Sequence, residues 1–492
     1  MAPAGRLIAA TSWLLLLAGL ACSRGCHGSQ TATADARSVV VEDAGPRADF
    51  EVALSSHRKL IYRGDLDEVL RRGVLRAITR NNSISYFLFR GDEVGFDYEL
   101  AQALARELGV RLEVVVAPTQ RDLIPWLLEG RGDIVAAGLT VTEARTRRVV
   151  FAHPYLAVHD VVVVRRGRKP PLTAPADLLD ETVHVRSESS QFKRLRALGD
   201  ELGQTIRIAA LPESVDTEEL IDLVGRGEVA VTLVRSNLLD AELTWRDDVE
   251  AAFALAGDEQ LAWSVRPEDG QLRQVLDAFF LKHQKGLFFN TLLNKYFRDK
   301  KRVPGLRDDE VRTDRTGTIS RYDELLRQAA RRHGLDWRLL AAVSYQESRF
   351  DPRARSWAGA EGLLQLMPSI SAHYSVRDSL DPAASIEAGA RHLRWLIDSF
   401  SSELPLRERI HFALAAYNVG RGHVVDARQL AQQIGYNPDI WTGSVDKTML
   451  LLARPRFYRA AVSGYCRGEE TVHYVETVQK LYDAYTRMAT AD

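Results

Sequence analysis

Cysteine is nearly absent from the 492 residues. Cys22, Cys26 and Cys466 are too few for a disulfide framework and too scattered for a structural zinc site. An excess of one charge is also missing. The 65 Lys and Arg offset the 66 Asp and Glu, so bulk electrostatics suggest neither nucleic acid nor an acidic polymer as partner. There is no hydrophobic run of membrane-spanning length. The nearest, residues 7–21, is too short and follows Arg6. With 46% hydrophobic and 27% charged residues, the composition is that of a soluble globular protein. The length exceeds one ordinary core and predicts two or three domains.

Residues 1–21 read as an export signal, ending Gly19-Leu20-Ala21 before Cys22. The arrangement resembles a bacterial lipoprotein signal, although Gly19 stands where that pattern usually has Leu. The resemblance implies lipidation of Cys22, and Ser23 after it implies sorting to the periplasmic face of the outer membrane. Lipid chains hold a protein at a membrane surface without a spanning segment. The alternative is an ordinary cleaved signal. Residues 22–56 are rich in Ala, Ser, Thr, Gly and charge and read as a flexible tether.

From residue 57 to 298 strands and helices alternate. Strands are expected at 74–79, 112–117, 133–137, 160–165 and 261–265, and helices at 97–108, 121–128 and 271–297. The valine-rich run 160–165 suits a buried strand. The order implies two α/β lobes joined by two crossover strands. GFDYELA at 95–101 and GDIVAAGLTVTEARTRRVVFAHPYL at 132–156 resemble the family-3 solute-binding proteins, periplasmic receptors for amino acids. The resemblance implies that Arg145 clamps a ligand carboxylate, helped by Gly138 and Thr140. A guanidinium fork suits that task because it makes two parallel hydrogen bonds. Tyr86 or Phe87 is expected to pack on the ligand, and Ser189 and Ser190 to offer an anion-binding helix start. Such receptors usually hold the ligand's ammonium group with an Asp in the second lobe. Here the stretch is VTLVRSN, 231–237, and the position is Leu233 or Arg235 depending on register. Neither is acidic, so a small anionic or wall-derived ligand, or none, is expected in place of a free amino acid.

Residues 299–318 are charged, contain Pro304, Gly305 and Gly317, and read as a linker. Residues 319–492 are mostly helical by periodicity, with helices expected at 321–333, 335–347, 384–400, 408–418 and 471–485. The helix at 335–347 reads as amphipathic and places Glu347 on the face of Leu340 and Val343. A carboxyl group on an apolar face tends to stay protonated, as a general acid for glycosidic cleavage must.

Glu347-Ser348, then Gly362-Leu363-Leu364-Gln365, Met367-Pro368, Ala416-Tyr417-Asn418-Val419-Gly420 and Tyr474-Val475 follow in order. These pieces resemble the lysozyme-like lytic transglycosylases of the SLT family, with Leu364 where that family often has Met. The resemblance implies Glu347 as catalytic acid, Tyr417 and Tyr474 beside it, and Gln365 and Met367 lining a sugar cleft, with Ser356 and Asn418 as further contacts. The substrate would be peptidoglycan glycan strands and the product a 1,6-anhydro end. No cofactor and no metal are expected. Retaining and inverting glycosidases usually need two carboxylates. Of the nearby acids, Asp351 precedes proline in a turn and Glu361 sits between turn residues. The expected architecture is therefore multidomain: a two-lobed α/β periplasmic-binding-protein-like domain followed by a mostly α lysozyme-like domain. The rival functions are a lysozyme-type hydrolase using the same Glu347, and a receptor whose second domain only docks on the wall.

Overall fold

The structure, a computed structural model, describes residues 46–54, 61–187, 189–212, 215–298, 313–314 and 316–488. In the first lobe the strand order is Arg111–Val116, Val74–Thr79, Ile134–Val135, Ser264–Val265 and Val150–Phe151. The first three run parallel, and Ser264–Val265 is antiparallel to both its neighbours. In the second lobe the order is Arg207–Leu211, Thr182–Arg186, Val231–Arg235, Asp160–Arg165 and Val249–Ala254. Val162 and Val163 of Asp160–Arg165 are 0% exposed, because strands lie on both sides and apolar layers cover both faces.

Two short crossover strands, Leu156–Val158 and Glu259–Leu261, pair antiparallel between the lobes. The single returning strand expected at 261–265 is thus two pieces, since the chain must turn from this hinge ladder into the first sheet. Asp97 of the GFDYELA stretch is buried beneath the hinge. It accepts hydrogen bonds from the Tyr155 hydroxyl at 3.0 Å and Trp263 Nε1 at 2.8 Å, joining one helix to both chain crossings.

The C-terminal region is built on Trp337–Ser348, flanked by Asp323–His333 and Gly468–Met488. Asp336 caps its start, accepting from Arg338 N at 2.9 Å. The amphipathic reading of this helix is corrected: residues Leu339, Leu340, Ala341, Ala342 and Val343 are all 0% exposed. Small and apolar residues on every face let neighbours surround it.

The tether reading of 22–56 is corrected at its end. Pro46–Leu54 is a helix whose Phe50 and Leu54 are buried in the core of the C-terminal region. Those two side chains lie four residues apart and make a short apolar stripe in an otherwise polar stretch. Glu51 pairs with the buried Arg338 at 2.9 Å, and Arg338 also holds Asp336 at 2.7 Å. The remaining tether, the signal, and with them Cys22 and Cys26, lie outside the described residues. Cys466 is a buried free thiol.

The first lobe and the C-terminal region share a core. Tyr86, Leu88, Tyr98 and Val114 join the cluster that contains Leu340 and Tyr345. A hairpin of Phe87–Phe89 and Asp92–Val94 supplies polar contacts: Tyr345 donates to Asp92, Arg349 Nη1 lies 3.4 Å from it, and Arg487 Nη2 lies 3.5 Å from Glu93. Within the linker, Thr313 pairs with Leu88 through both N and Oγ1, at 3.2 and 2.8 Å, and its carbonyl accepts from Asn81 at 3.0 Å.

Truncating a buried Phe costs about 3–5 kcal/mol. Phe50→Ala is therefore expected to lower the thermal midpoint of the helical region, and calorimetry of the full chain reads this. An unchanged midpoint would mean the docked helix carries no stability.

Candidate functional site

The catalytic-region helix ends at Ser348, and the next two residues, Arg349 and Phe350, have φ of 55° and 59°. Left-handed backbone at two successive non-glycine residues stores strain, and such strain gathers at functional sites. The turn aims Glu347 at the long helix Gly468–Met488. The Tyr474 hydroxyl donates to Glu347 Oε1 at 2.6 Å, and Tyr474 is 4% exposed. Burial pushes the Glu347 carboxyl up to about 7, against a smaller lowering by the Tyr474 bond. Tyr417 lies near the same carboxylate, and its own hydroxyl is held neutral chiefly by burial. The acid is thus desolvated among phenols, the condition in which a carboxylic acid can keep its proton near neutral pH.

The rest of the signature builds the loop opposite. Ser348 Oγ donates to Leu363 O at 2.9 Å, and Ser344 Oγ to the same carbonyl at 3.3 Å. Tyr417 donates to Leu364 O at 2.8 Å, and Leu364 N donates to Ser385 Oγ at 3.2 Å. Gly362 has φ of 79°, and a Cβ there would fall 1.9 Å from Ser379 O, so only glycine fits. Leu364 is fully buried against the bare backbone of Gly389, where a Cβ would come within 2.0 Å of it. Its difference from Met is a matter of packing.

The expected site residues divide into two groups. Glu347, Tyr417 and Tyr474 converge. Gln365, Ser356 and Asn418 are engaged in holding loops. Gln365 Nε2 donates to Ala354 O and Gly362 O at 3.1 and 3.0 Å. Ser356 Oγ accepts from Ala360 N, and Asn418 Oδ1 from Thr471, each at 2.9 Å. Met367 is 41% exposed. Asp351 caps its turn, accepting from Arg353 N at 2.9 Å, and Glu361 pairs with Arg355 at 2.7 Å.

An aromatic row was not anticipated. His392 contacts Tyr417, Tyr374 and Trp395, with ring centroids 5.6, 6.0 and 5.7 Å away. Burial holds His392 down to about 4, so it is neutral at ordinary pH. Trp395 is half exposed. The available signal was His392 and Trp395 at i and i+3, off the Ile386, Ala390, Leu393 stripe that forms the core.

Between the two lobes lies a cavity of about 570 Å³, lined by Gly138, Arg145, Ser189 and Ser190 among others. Ser189 caps Ser190–Leu202, its Oγ accepting from Phe192 N at 3.1 Å. Thr140 is buried and receives Arg145 Nη1 through its hydroxyl. Tyr86 and Phe87 do not line this cavity, which corrects their expected role. Tyr86 donates to Glu93 at 2.7 Å in the core shared with the helical region, and Phe87 belongs to the first-lobe core. The chain meets the cavity at Asn82, Ile84 and Ser85 instead. The open register is resolved too: Leu233 is buried in the second-lobe core, and Arg235 faces the cavity.

A family model described as Transglycosylase SLT domain matches residues 324–440. A second, described as Bacterial extracellular solute-binding proteins, family 3, matches 75–299. Tyr474 lies beyond the first span, although it holds Glu347. A relative from Desulfosudis oleivorans, named membrane-bound lytic murein transglycosylase F, is 34% identical over 416 residues, 85% of this chain and 90% of its own. One of the same name from Stutzerimonas stutzeri is 34% identical over 424 residues, 86% of each chain. Among solved structures, the P235GK mutant of ArgBP from T. maritima covers 47% of this chain and 97% of its own, at 27% identity and a TM-score of 0.41.

A solute-binding module followed by an SLT module defines a lytic transglycosylase of peptidoglycan that carries a ligand-binding domain. The chain belongs to the membrane-bound lytic murein transglycosylase F family, which places its work in the cell envelope. No helix among the described residues is long and apolar enough to cross a membrane.

Because the Tyr474 bond lowers the Glu347 pKa, its removal raises it. Activity that needs the protonated acid falls as pH rises through about 7. Tyr474→Phe is expected to move that alkaline limb to higher pH, read from kcat against pH on purified peptidoglycan. A limb that stays put, or moves down, contradicts the role given to this bond.

Proposed function

We propose that Glu347 performs both proton transfers of a non-hydrolytic cleavage. As the acid, it protonates the oxygen leaving the MurNAc C1. As the resulting carboxylate, it takes the proton from the C6 hydroxyl of the same sugar while that oxygen bonds to C1. The products are a 1,6-anhydro-MurNAc end and a free GlcNAc 4-hydroxyl, and no water is consumed. The single observation carrying this reading is the desolvated carboxyl of Glu347 with a phenol at 2.6 Å, while Asp351 and Glu361 are occupied elsewhere. One acid suffices for cleavage if the substrate itself supplies the nucleophile. Met367, Tyr417 and Tyr474 would border the glycan, with Gln365, Ser356 and Asn418 shaping its loops.

The two-lobed domain is a sensor in this reading. Arg145, Gly138, Ser189 and Ser190 would take a small anionic or wall-derived molecule. The segment 80–98 supports coupling to the enzyme. It lines the cavity at Asn82 and Ser85, and its hairpin touches Tyr345, two residues before Glu347. A ligand that favours one lobe separation shifts the enzyme only through such contacts. Lipidation at Cys22 would hold the enzyme on the periplasmic face of the outer membrane.

Mass spectrometry of digested peptidoglycan is the direct test. Anhydro ends, each one water lighter than a reducing end, are expected, and Glu347→Gln is expected to lose at least about 100-fold in rate. Reducing ends would assign a hydrolase, and full lysis by Glu347→Gln would remove Glu347 from the chemistry. A second measurement addresses coupling: Asp92→Ala is expected to lower kcat several-fold with little change in KM, and an unchanged kcat would show the hairpin to be a passive contact.

A further inference from the structure

The second-lobe strand Val231–Arg235 ends on an arginine that reaches across the cavity. Arg235 Nη2 lies 3.3 Å from Thr140 Oγ1 of the first lobe and 3.3 Å from Ser190 Oγ at the start of Ser190–Leu202. Arg145 Nη1 bonds the same Thr140 hydroxyl. Two guanidinium groups from opposite lobes therefore converge on one atom. Burial first, then the Arg235 charge, lowers Arg145 to about 10, and burial lowers Arg235 against the opposing charges of Glu259 and Asp160. Glu259 answers Arg235 only in part, with Oε2 at 3.5 Å from Nε, and neither of those two atoms has a hydrogen-bond partner among the described residues. Asp160, the ladder partner of Arg235, is already bonded to Gln191 at 2.7 Å. Among the described residues, six arginines line the cavity with Asp216 and Glu218, and Asp216 is paired with Arg80 at 2.7 Å.

We infer that this cavity selects a ligand whose head carries two negative charges close together, a phosphate monoester or a short dicarboxylate of the malonate type, and that Arg235 is the residue that rejects zwitterionic α-amino acids. The inference rests on the cavity being a ligand site and goes on to name the class of ligand. Two guanidiniums aimed at one point recover their mutual repulsion when a doubly charged group sits between them. The hydroxyls of Thr140 and Ser190 and the helix N-terminus add donors at the same place. An α-ammonium group brought in beside the carboxylate would lie against Arg235, whose neighbouring acid Glu259 already faces its Nε, while Glu218 of the lining accepts from Ser83 at 3.4 Å. Like charge in the site works as exclusion of the wrong partner.

The test is calorimetric titration of the full chain with inorganic phosphate, malonate, L-alanine and L-arginine. Phosphate or malonate is expected to bind at least about tenfold more tightly than either amino acid, one converted unit of about 1.4 kcal/mol. Which of the two binds distinguishes a phosphoryl head from a dicarboxylate. Arg235→Ala is expected to weaken the dianion tenfold or more. Arg235→Asp is expected to reverse the preference and admit L-alanine or L-arginine, a gain that a misfolded variant cannot show. If the amino acids bind the unmodified chain as tightly as the dianions, and Arg235→Ala changes nothing, the head-group assignment is overturned while the cavity stays a ligand site. If no probe binds the unmodified chain or Arg235→Asp, the cavity reading falls with it.

Discussion

The withdrawal of one carboxyl group from water, with no cation beside it among the described residues, is the constraint to which the catalytic half is built. Raising Glu347 from 4.5 to about 7 disfavours its charged form by roughly 3 kcal/mol. A nearby Arg would remove that effect and the chemistry with it. The neighbours are instead two neutral phenols, Tyr417 and Tyr474, and a neutral imidazole, His392, behind Tyr417. The sign for stability follows: a folded pKa above the unfolded one contributes stability at low pH, and that contribution is lost as pH rises through about 7. The fully buried helix beneath Glu347 and the serine bonds to Leu363 fix the position of a group that would otherwise turn toward solvent.

The binding cavity uses the opposite arrangement. There, charges of one sign are crowded together, and Arg145 and Arg235 hold open a demand for an anion. Both arrangements destabilise a charge in place. In the enzyme the result is a retained proton; in the cavity it is an unmet attraction. The segment 80–98 borders both, facing the cavity through Asn82 and Ser85 and the helical core through Tyr86 and Leu88.

Much of this was legible because period and order survive in a single sequence. The valine run at 160–165 became a central strand with those bounds, and 74–79 likewise. The resemblance implied Tyr474 beside Glu347, 127 residues away, and the two share a hydrogen bond. What was not legible depended on which neighbour covers which face. Tyr86 looks like a ligand-stacking aromatic until the helical region is seen packed against that edge, and Phe87 until the first-lobe core is seen around it. Phe50 and Leu54 look like strays in a polar tether until their groove exists. His392 and Trp395 lie off the core stripe, so periodicity gave them no role. The strand at 231–235 allowed two registers, and only the burial of Leu233 decided which residue met the cavity.

Those same packing facts settle which part of the chain is fixed relative to the enzyme. Pro46–Leu54 docks on the C-terminal region, so the segment preceding the binding domain and the region following it share one core. The first lobe joins that core through Tyr86, Leu88, Tyr98 and Val114, and Thr313 of the linker is pinned to it by Leu88 and Asn81. The second lobe has cores of its own, and Ala241 of its helix Ser236–Leu243 also joins the first-lobe cluster. Its bonds to the first lobe cross the cavity: Arg80 to Asp216, Arg186 to Gln120, and Arg235 to Thr140. A change in lobe separation therefore breaks polar contacts that a ligand can replace and bends the short ladder of Leu156–Val158 with Glu259–Leu261. The first lobe thus borders the cavity on one side and, through Asp92, meets Tyr345 on the helix of Glu347.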